Sequence, residues 1–410
     1  MPTQTLGLNR TQYSENFIIG DARPDAPDLA KRGAFGVGVR TLRVVNPNQL
    51  DILKYNVGND PRYDRPLTLE VWYPAIIPAG ATQIAWYNEV LGRGANDPAR
   101  PNTPFEFAGR ALRDAAPDVK SAPYPLVILS HGYPGSRVLM TYLTENLASK
   151  GYVVVAIDHT DSTHGDAANF ASTMLNRPLD DLFVLNEIAR QTKDSASWLS
   201  GLADANQTAL IGYSMGGYGA LNVAGAGVTQ SAVDTLVPGR KLAIRQTGNP
   251  DYLASMDARI KAIVLFAPWG ATVFDADGLK GIKVPSLFIA GTVDTVAGFA
   301  NIKRFYEQVI NSDRYFLVYE NGSHNIAVNP APAIAMTNVT DYQHYLEPAW
   351  DTARVNNINQ HFVTAFLGMH LKKMDYKTYL DVPTLANENK WIGFPVAPAV
   401  GLQMYHQAAK

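Results

Sequence analysis

Gly212-Tyr213-Ser214-Met215-Gly216 sets one serine between two glycines. The apolar run Ala209-Leu210-Ile211 precedes it, and the small-residue stretch Gly217-Tyr218-Gly219-Ala220-Leu221 follows. That order predicts a strand, a very tight turn and a helix. Glycines at the flanks remove side chains that would clash as the chain reverses. Such a turn presents the hydroxyl at the carboxyl end of a strand and puts the next N–H groups at a helix N-terminus. The chemistry it serves is attack on an electrophilic carbon. A Gly-rich loop would read the same way, so the partners decide.

A serine nucleophile needs a base within hydrogen-bond reach and an acid to fix that base. His324 lies in Glu320-Asn321-Gly322-Ser323-His324-Asn325, a polar turn after the predicted strand Tyr315-Phe316-Leu317-Val318. His344, His361 and His370 fall on or near the predicted C-terminal helix, and His406 is in the tail. His324 is therefore the expected base. Asp294 follows the strand Ser286-Leu287-Phe288-Ile289 and is the expected acid, with Asp275 and Asp277 as alternatives. The competing structural reading of Asp294 is a cap for the helix that starts near Ala297.

Negative charge developing on the attacked group calls for two N–H donors. One is expected from Met215, the residue after the serine. The other is expected from Tyr133 in Ser130-His131-Gly132-Tyr133-Pro134-Gly135-Ser136, with the Tyr133 ring as one wall of the acyl pocket. His131 is read as a brace for this loop. Trp269, after Pro268 at a strand end, is expected to line the pocket with an aromatic face, or else to pack beneath a lid. The stretch Asp158-His159-Thr160-Asp161-Ser162-Thr163-His164-Gly165-Asp166 has two readings. It is a carboxylate–imidazole metal loop or, as expected here with no metal assigned, a loop knit by its own hydrogen bonds.

The elements that must carry these residues alternate. Leu126-Val127-Ile128-Leu129, Tyr152-Val153-Val154-Val155-Ala156-Ile157 and Ala262-Ile263-Val264-Leu265-Phe266 are continuous apolar runs, as in strands buried on both faces. Helical spacing appears between them at Leu139, Met140, Leu143 and Leu147, at Leu182, Leu185, Ile188 and Ala189, at Ile302, Phe305, Tyr306, Val309 and Ile310, and at Val355, Ile358, Phe362 and Phe366. Period-2 segments around Val37–Thr41 and Leu67–Tyr73 predict antiparallel edge strands. The fold class expected is α/β: a mostly parallel sheet with antiparallel N-terminal strands and helices on both faces. Residues 1–34 read as an irregular arm, 35–372 as the catalytic domain, and 373–410 as an extension packed on it. Residues 74–125, rich in Pro, Ala, Asn and Gly, are expected to wrap the surface. The long interval 225–259 reads as a partial lid over the site or as a surface ornament away from it.

Composition narrows the partners. Across 410 residues the net charge is −2, with no long basic or acidic run, so no nucleic-acid partner is expected. No apolar run approaches the ~20 residues that span a bilayer. No cysteine is present, which excludes thiol catalysis and disulfides. The N-terminus carries no basic start with an apolar core, so no signal peptide is read; the default is cytoplasmic, and a processed exported form fits equally.

From about Gly36 to His370 the chain resembles the α/β-hydrolase superfamily. Within it, the chain is similar to the group labelled predicted dienelactone hydrolases, to platelet-activating-factor acetylhydrolases and to cutinase-like polyester hydrolases. Carrying the resemblance are Gly38-Val39-Arg40-Thr41-Leu42, Val71-Trp72-Tyr73-Pro74, the 130–136 loop, Arg177-Pro178 with Asp181, and the serine pentapeptide. True dienelactone hydrolases use a cysteine nucleophile, which is absent here. The acetylhydrolases place their acid after the strand that follows the elbow, where this chain reads Phe266-Ala267-Pro268-Trp269. Gly291-Thr292-Val293-Asp294-Thr295 and Gly322-Ser323-His324 follow the cutinase-like pattern instead. The resemblance implies serine carboxylic-ester hydrolysis without a cofactor, on a small or polymeric ester, with bulky and phthalate-type esters included. Hydrolysis of an amide, a lactone or the C–C bond of a β-diketone is the alternative, followed by a non-catalytic binding role.

Overall fold

A computed structural model describes residues 9–10, 17–92, 99–388, 390–396 and 398–410. Positions 1–8 and 11–16 of the expected arm therefore lie outside the described residues. The strands in chain order are β1 Asn9–Arg10, β2 Gly36–Leu50, β3 Arg62–Ile76, β4 Ala85–Leu91, β5 Thr103–Gly109, β6 Leu112–Arg113, β7 Ala116–Pro117, β8 Tyr124–Ser130, β9 Val153–Asp158, β10 Ala203–Tyr213, β11 Ile260–Phe266, β12 Ser286–Gly291, β13 Arg314–Tyr319 and β14 Leu402–Gln407.

One sheet runs β14-β13-β12-β11-β10-β8-β9-β3-β2-β6, with β7 beside β3. Its centre, β9 through β13, is parallel, while β14, β3 and β2 join antiparallel. Val153 to Ile157 are all 0% exposed, so helices must cover both faces. Helix Thr141–Ser149 packs against Thr352–Lys372, and Phe170–Lys193 packs against Met215–Val223. This is the α/β-hydrolase arrangement, with strand order crossing between β10 and β8 so that the carboxyl ends open a crevice there. No described helix is long and apolar enough to cross a membrane.

Two regions differ from expectation. β3 is an inner strand, flanked by β2 and β9 and buried from Glu70 to Ala75, rather than an edge. The region expected to wrap the surface instead contains the β4–β5 hairpin, part of a separate sheet ordered β1-β5-β4. Along β4 the buried positions are Ala85, Tyr87, Glu89 and Leu91. A carboxyl at an inward position masks the period-2 pattern. The 373–410 segment adds β14 to the main sheet by pairing Leu402–Gln407 with β13.

Candidate active site

The turn after β10 is a close-packed elbow. Ser214 adopts φ 53 and ψ −111 and caps the helix Met215–Val223. A non-glycine residue in that region is strained, and the surroundings hold it there. Its N–H donates to the Phe266 carbonyl at 2.9 Å, and its carbonyl accepts from the Trp269 N–H at 3.0 Å. A Cβ on Gly212 would sit 2.3 Å from the Gly216 oxygen, and one on Gly216 would sit 1.9 Å from the Ser130 oxygen. Only glycine fits either place.

Asp294 follows β12 and His324 follows β13, so sheet order sets the three side chains side by side. His324 Nε2 lies 3.0 Å from Ser214 Oγ, and His324 Nδ1 lies 2.8 Å from Asp294 Oδ2. The two loops touch backbone to backbone, since a Cβ on Gly291 would meet the Gly322 oxygen at 2.1 Å. Asp294 Oδ1 accepts the N–H groups of Val296 and Ala297 at 2.8 and 3.0 Å. Asp294 thus ties the turn 294–297 with one oxygen and holds the imidazole with the other, while the helix Phe299–Gln308 that follows takes Gly298, not Asp294, as its N-cap. Burial pushes its carboxyl up, but the His324 hydrogen bond and charge, with the two amides, bring it below its ordinary value. Tyr213 packs its ring 5.3 Å from that of His324 and donates its hydroxyl to Asn325 Oδ1 at 2.9 Å. The alternative acids lie elsewhere: Asp275 caps the helix Ala276–Leu279, and Asp277 pairs with Lys280.

Met215 is the first residue of its helix, so its N–H has no intrahelical acceptor. The Tyr133 loop lies beside Ser214, since a Cβ on Gly132 would sit 3.5 Å from the Ser214 Cβ, and the Tyr133 hydroxyl donates to the Ala168 carbonyl at 2.5 Å. Rings run back from Tyr133 through Phe170, centroids 5.2 Å apart, to Trp269 at 5.3 Å. Trp269 is thus separated from Tyr133 by the Phe170 ring and, contrary to the expectation that it lines the pocket, is not among the described residues lining the cavity over Ser214.

The 158–166 loop is knit by its neighbours. Asp158 accepts the Arg137 N–H at 2.6 Å and pairs with the Arg137 guanidinium. Asp166 accepts the N–H groups of Asp161 and Thr163 at 3.0 and 2.9 Å. His159 bridges Ser130 Oγ at 2.8 Å and Asp180 at 3.0 Å. No group of three or more metal-ligating side chains converges among the described residues.

A cavity of about 620 Å³ opens over Ser214. Gly132, Tyr133, His164, Tyr213, Val296 and His324 form its floor and walls, and Thr340, Gln343 and His344 close it from a second side. None of its described lining comes from 225–259; that interval packs near Gly278 and Gly281 and borders a different cavity. The covering segment is instead tied to the His324 loop. Asn325 Nδ2 donates to the carbonyls of Gln343 at 2.8 Å and Leu346 at 3.0 Å, and the Ser323 N–H donates to Glu347 at 2.7 Å. His164 and His344 meet edge to face, 4.8 Å apart. Sequence reasoning missed this cover, whose only signal was the unusual distance between His324 and the next long helix.

The chain as a whole is similar to a group of known proteins. A family model described as PET hydrolase-like matches residues 116–242 and 226–354. Cutinase est1 of Thermobifida alba is 25% identical over 250 residues, covering 58% of this chain and 69% of that protein. Cutinase 2 of Thermobifida cellulosilytica is 26% identical over 203 residues, covering 49% and 60%. A ferulic acid esterase structure from Streptomyces cinnamoneus shares the fold with a TM-score of 0.55 at 20% identity, over 85% of this chain and 94% of that one.

Proposed function

The chain belongs to the PET hydrolase-like family and is a carboxylic-ester hydrolase; we propose that it works through a Ser214–His324–Asp294 triad and an acyl-enzyme. The observation that carries this is the pair of hydrogen bonds linking Ser214 to His324 at 3.0 Å and His324 to Asp294 at 2.8 Å. Ser214 Oγ attacks the ester carbonyl carbon while His324 Nε2 takes its proton. The carbonyl oxygen, now negative, is held by the N–H groups of Met215 and Tyr133. Collapse expels the alcohol, which leaves with the proton from His324. Water, deprotonated by His324, then attacks the acyl carbon and frees the acid and Ser214. Asp294 stays ionised, keeps the imidazole in the productive tautomer and offsets its charge when it is protonated. None of these steps calls for a cofactor.

Bulky aromatic or polymeric esters are the substrate class proposed. A cavity of about 620 Å³ with a Tyr133–Phe170–Trp269 run behind one wall supports this reading, as do relatives named as cutinases. Ser214→Ala tests the mechanism. It should cut kcat on a p-nitrophenyl ester by up to about 10⁶-fold, the size such losses reach in serine hydrolases, with thermal unfolding unchanged. Retained turnover would sink the triad. A panel of aromatic polyester, short ester, amide and β-diketone substrates tests the class, which fails if amide or diketone turnover dominates.

A further inference from the structure

Arg177, from the Arg177-Pro178 motif that the catalytic scheme leaves unused, grips the Tyr133 loop from the protein interior. Its Nη2 donates to the Gly132 carbonyl at 2.7 Å and to Ser162 Oγ at 3.0 Å, and its Nη1 donates to the His131 carbonyl. His131 Nδ1 reaches the same Gly132 carbonyl at 2.7 Å. Because His131 Nε2 accepts the His159 N–H at 3.3 Å, the ring proton sits on Nδ1 and His131 is a donor there. The Gly132 oxygen therefore has donors for both lone pairs. Arg177 and His131 are each 0% exposed.

The Gly132 carbonyl and the Tyr133 N–H belong to one peptide unit. That unit is trans, since the cis bonds of the described chain are Ala122–Pro123 and Tyr133–Pro134. In a trans peptide the N–H points opposite to the C=O. With the carbonyl pinned into the interior, the N–H is turned the other way, toward the cavity that Gly132 and Tyr133 line. Donors on the carbonyl also polarise the amide and strengthen its N–H as a donor. A guanidinium suits this task because its planar fork spans two neighbouring carbonyls, which an ammonium does not.

We infer that Arg177 is a positioning residue for ester hydrolysis, fixing the Gly132–Tyr133 peptide so that the Tyr133 N–H meets the oxyanion. This rests on the acyl-transfer reading of Ser214. The test compares Arg177→Lys with the unaltered enzyme on an ester and its thionoester, whose sulfur is a poor acceptor in the oxyanion site. For Arg177→Lys, kcat on the oxygen ester should fall about 10- to 100-fold, at or below the cost of losing one oxyanion donor. KM should move less than threefold. The loss on the thionoester should be several-fold smaller, so the oxygen-to-sulfur rate ratio collapses. Equal losses on both esters, or a KM effect with kcat intact, overturn the inference. Ser162→Ala, which removes a single support of the guanidinium, carries the test where Arg177→Lys does not fold. It should lower the ratio about threefold, and an unchanged ratio overturns the inference. Fluorophosphonate labelling separates the two readings. Failure of the unaltered enzyme to label at Ser214 sinks acyl transfer itself, whereas labelling with an unchanged ratio sinks only the role of Arg177.

Discussion

Gly216→Ala adds one methyl group where the elbow passes closest to the neighbouring strand. The new Cβ would lie 1.9 Å from the Ser130 oxygen, 2.5 Å from the Ser130 carbonyl carbon and 3.0 Å from the His131 oxygen. Ser130 cannot yield, because β8 is paired on both sides there, with Gly212 of β10 and Ile157 of β9. Reaching the 3.4 Å of ordinary contact therefore takes a displacement of about 1.5 Å, borne by the elbow and its helix. Ser214 and the Met215 N–H both ride on that segment. Misplacement of about 1 Å costs roughly 10²-fold in rate, so kcat should drop 10²- to 10³-fold with KM moving far less. Overpacking of this kind costs about 1–3 kcal/mol of stability. The assay is kcat and KM on p-nitrophenyl butyrate, normalised by fluorophosphonate titration, alongside a thermal melt. Gly165→Ala is the comparison, because its Cβ would find nothing nearer than 3.7 Å. A Gly216→Ala enzyme with kcat within threefold of the parent and an unmoved Tm would refute the steric account.

Asp294→Asn should lower kcat by about 10⁴-fold, as loss of the orienting acid does in serine hydrolases. The Asp294 carboxyl is held below its ordinary value when folded, so its stabilising pairing is complete above about pH 4 and fades as pH falls through the depressed value. The Tm gap between parent and variant should therefore close below about pH 4, and a gap constant to pH 2.5 contradicts the pairing. Glu89 carries the opposite sign: burial, with the Asp158 charge beside it, pushes its carboxyl up to about 8. Between about 4.5 and 8 the folded state keeps a proton that the unfolded chain releases, so stability falls as pH rises. Glu89→Gln should remove that slope, gaining on the parent by up to about 1.4 kcal/mol per pH unit across that window. Parallel denaturation curves at pH 5 and 8 would contradict it.

Where the chemistry-bearing residues sit was legible because each follows a buried strand whose apolar run is continuous: Ser214 after β10, Asp294 after β12, His324 after β13. Local signals suffice when a side chain's place depends on a strand end. The cover over the cavity depends on something else. Asn325 meets Gln343, and Ser323 meets Leu346 and Glu347, about twenty residues away and through single side-chain bonds. No periodicity announces such contacts, and the longer interval 225–259 drew attention by length alone. The β4–β5 hairpin was hidden by Glu89, a carboxyl facing inward beside the Ser136 hydroxyl. Arg177 was visible only through the resemblance, because its guanidinium meets the carbonyls of His131 and Gly132 some 45 residues away, from inside the helix Phe170–Lys193.

The sheet order has a consequence for how activity is lost on heating. Ser214 follows β10 at the middle of the sheet, whereas His324 follows β13, which only the six-residue β14 separates from the edge. Openings that cost the least free energy start at edges. Fraying of β14 and β13 would carry the imidazole away while the serine elbow stayed packed between β8 and β11. Heat should then silence the enzyme some degrees before the sheet melts, and cooling from that interval should restore it, because the part that left had only to zip back onto an intact template.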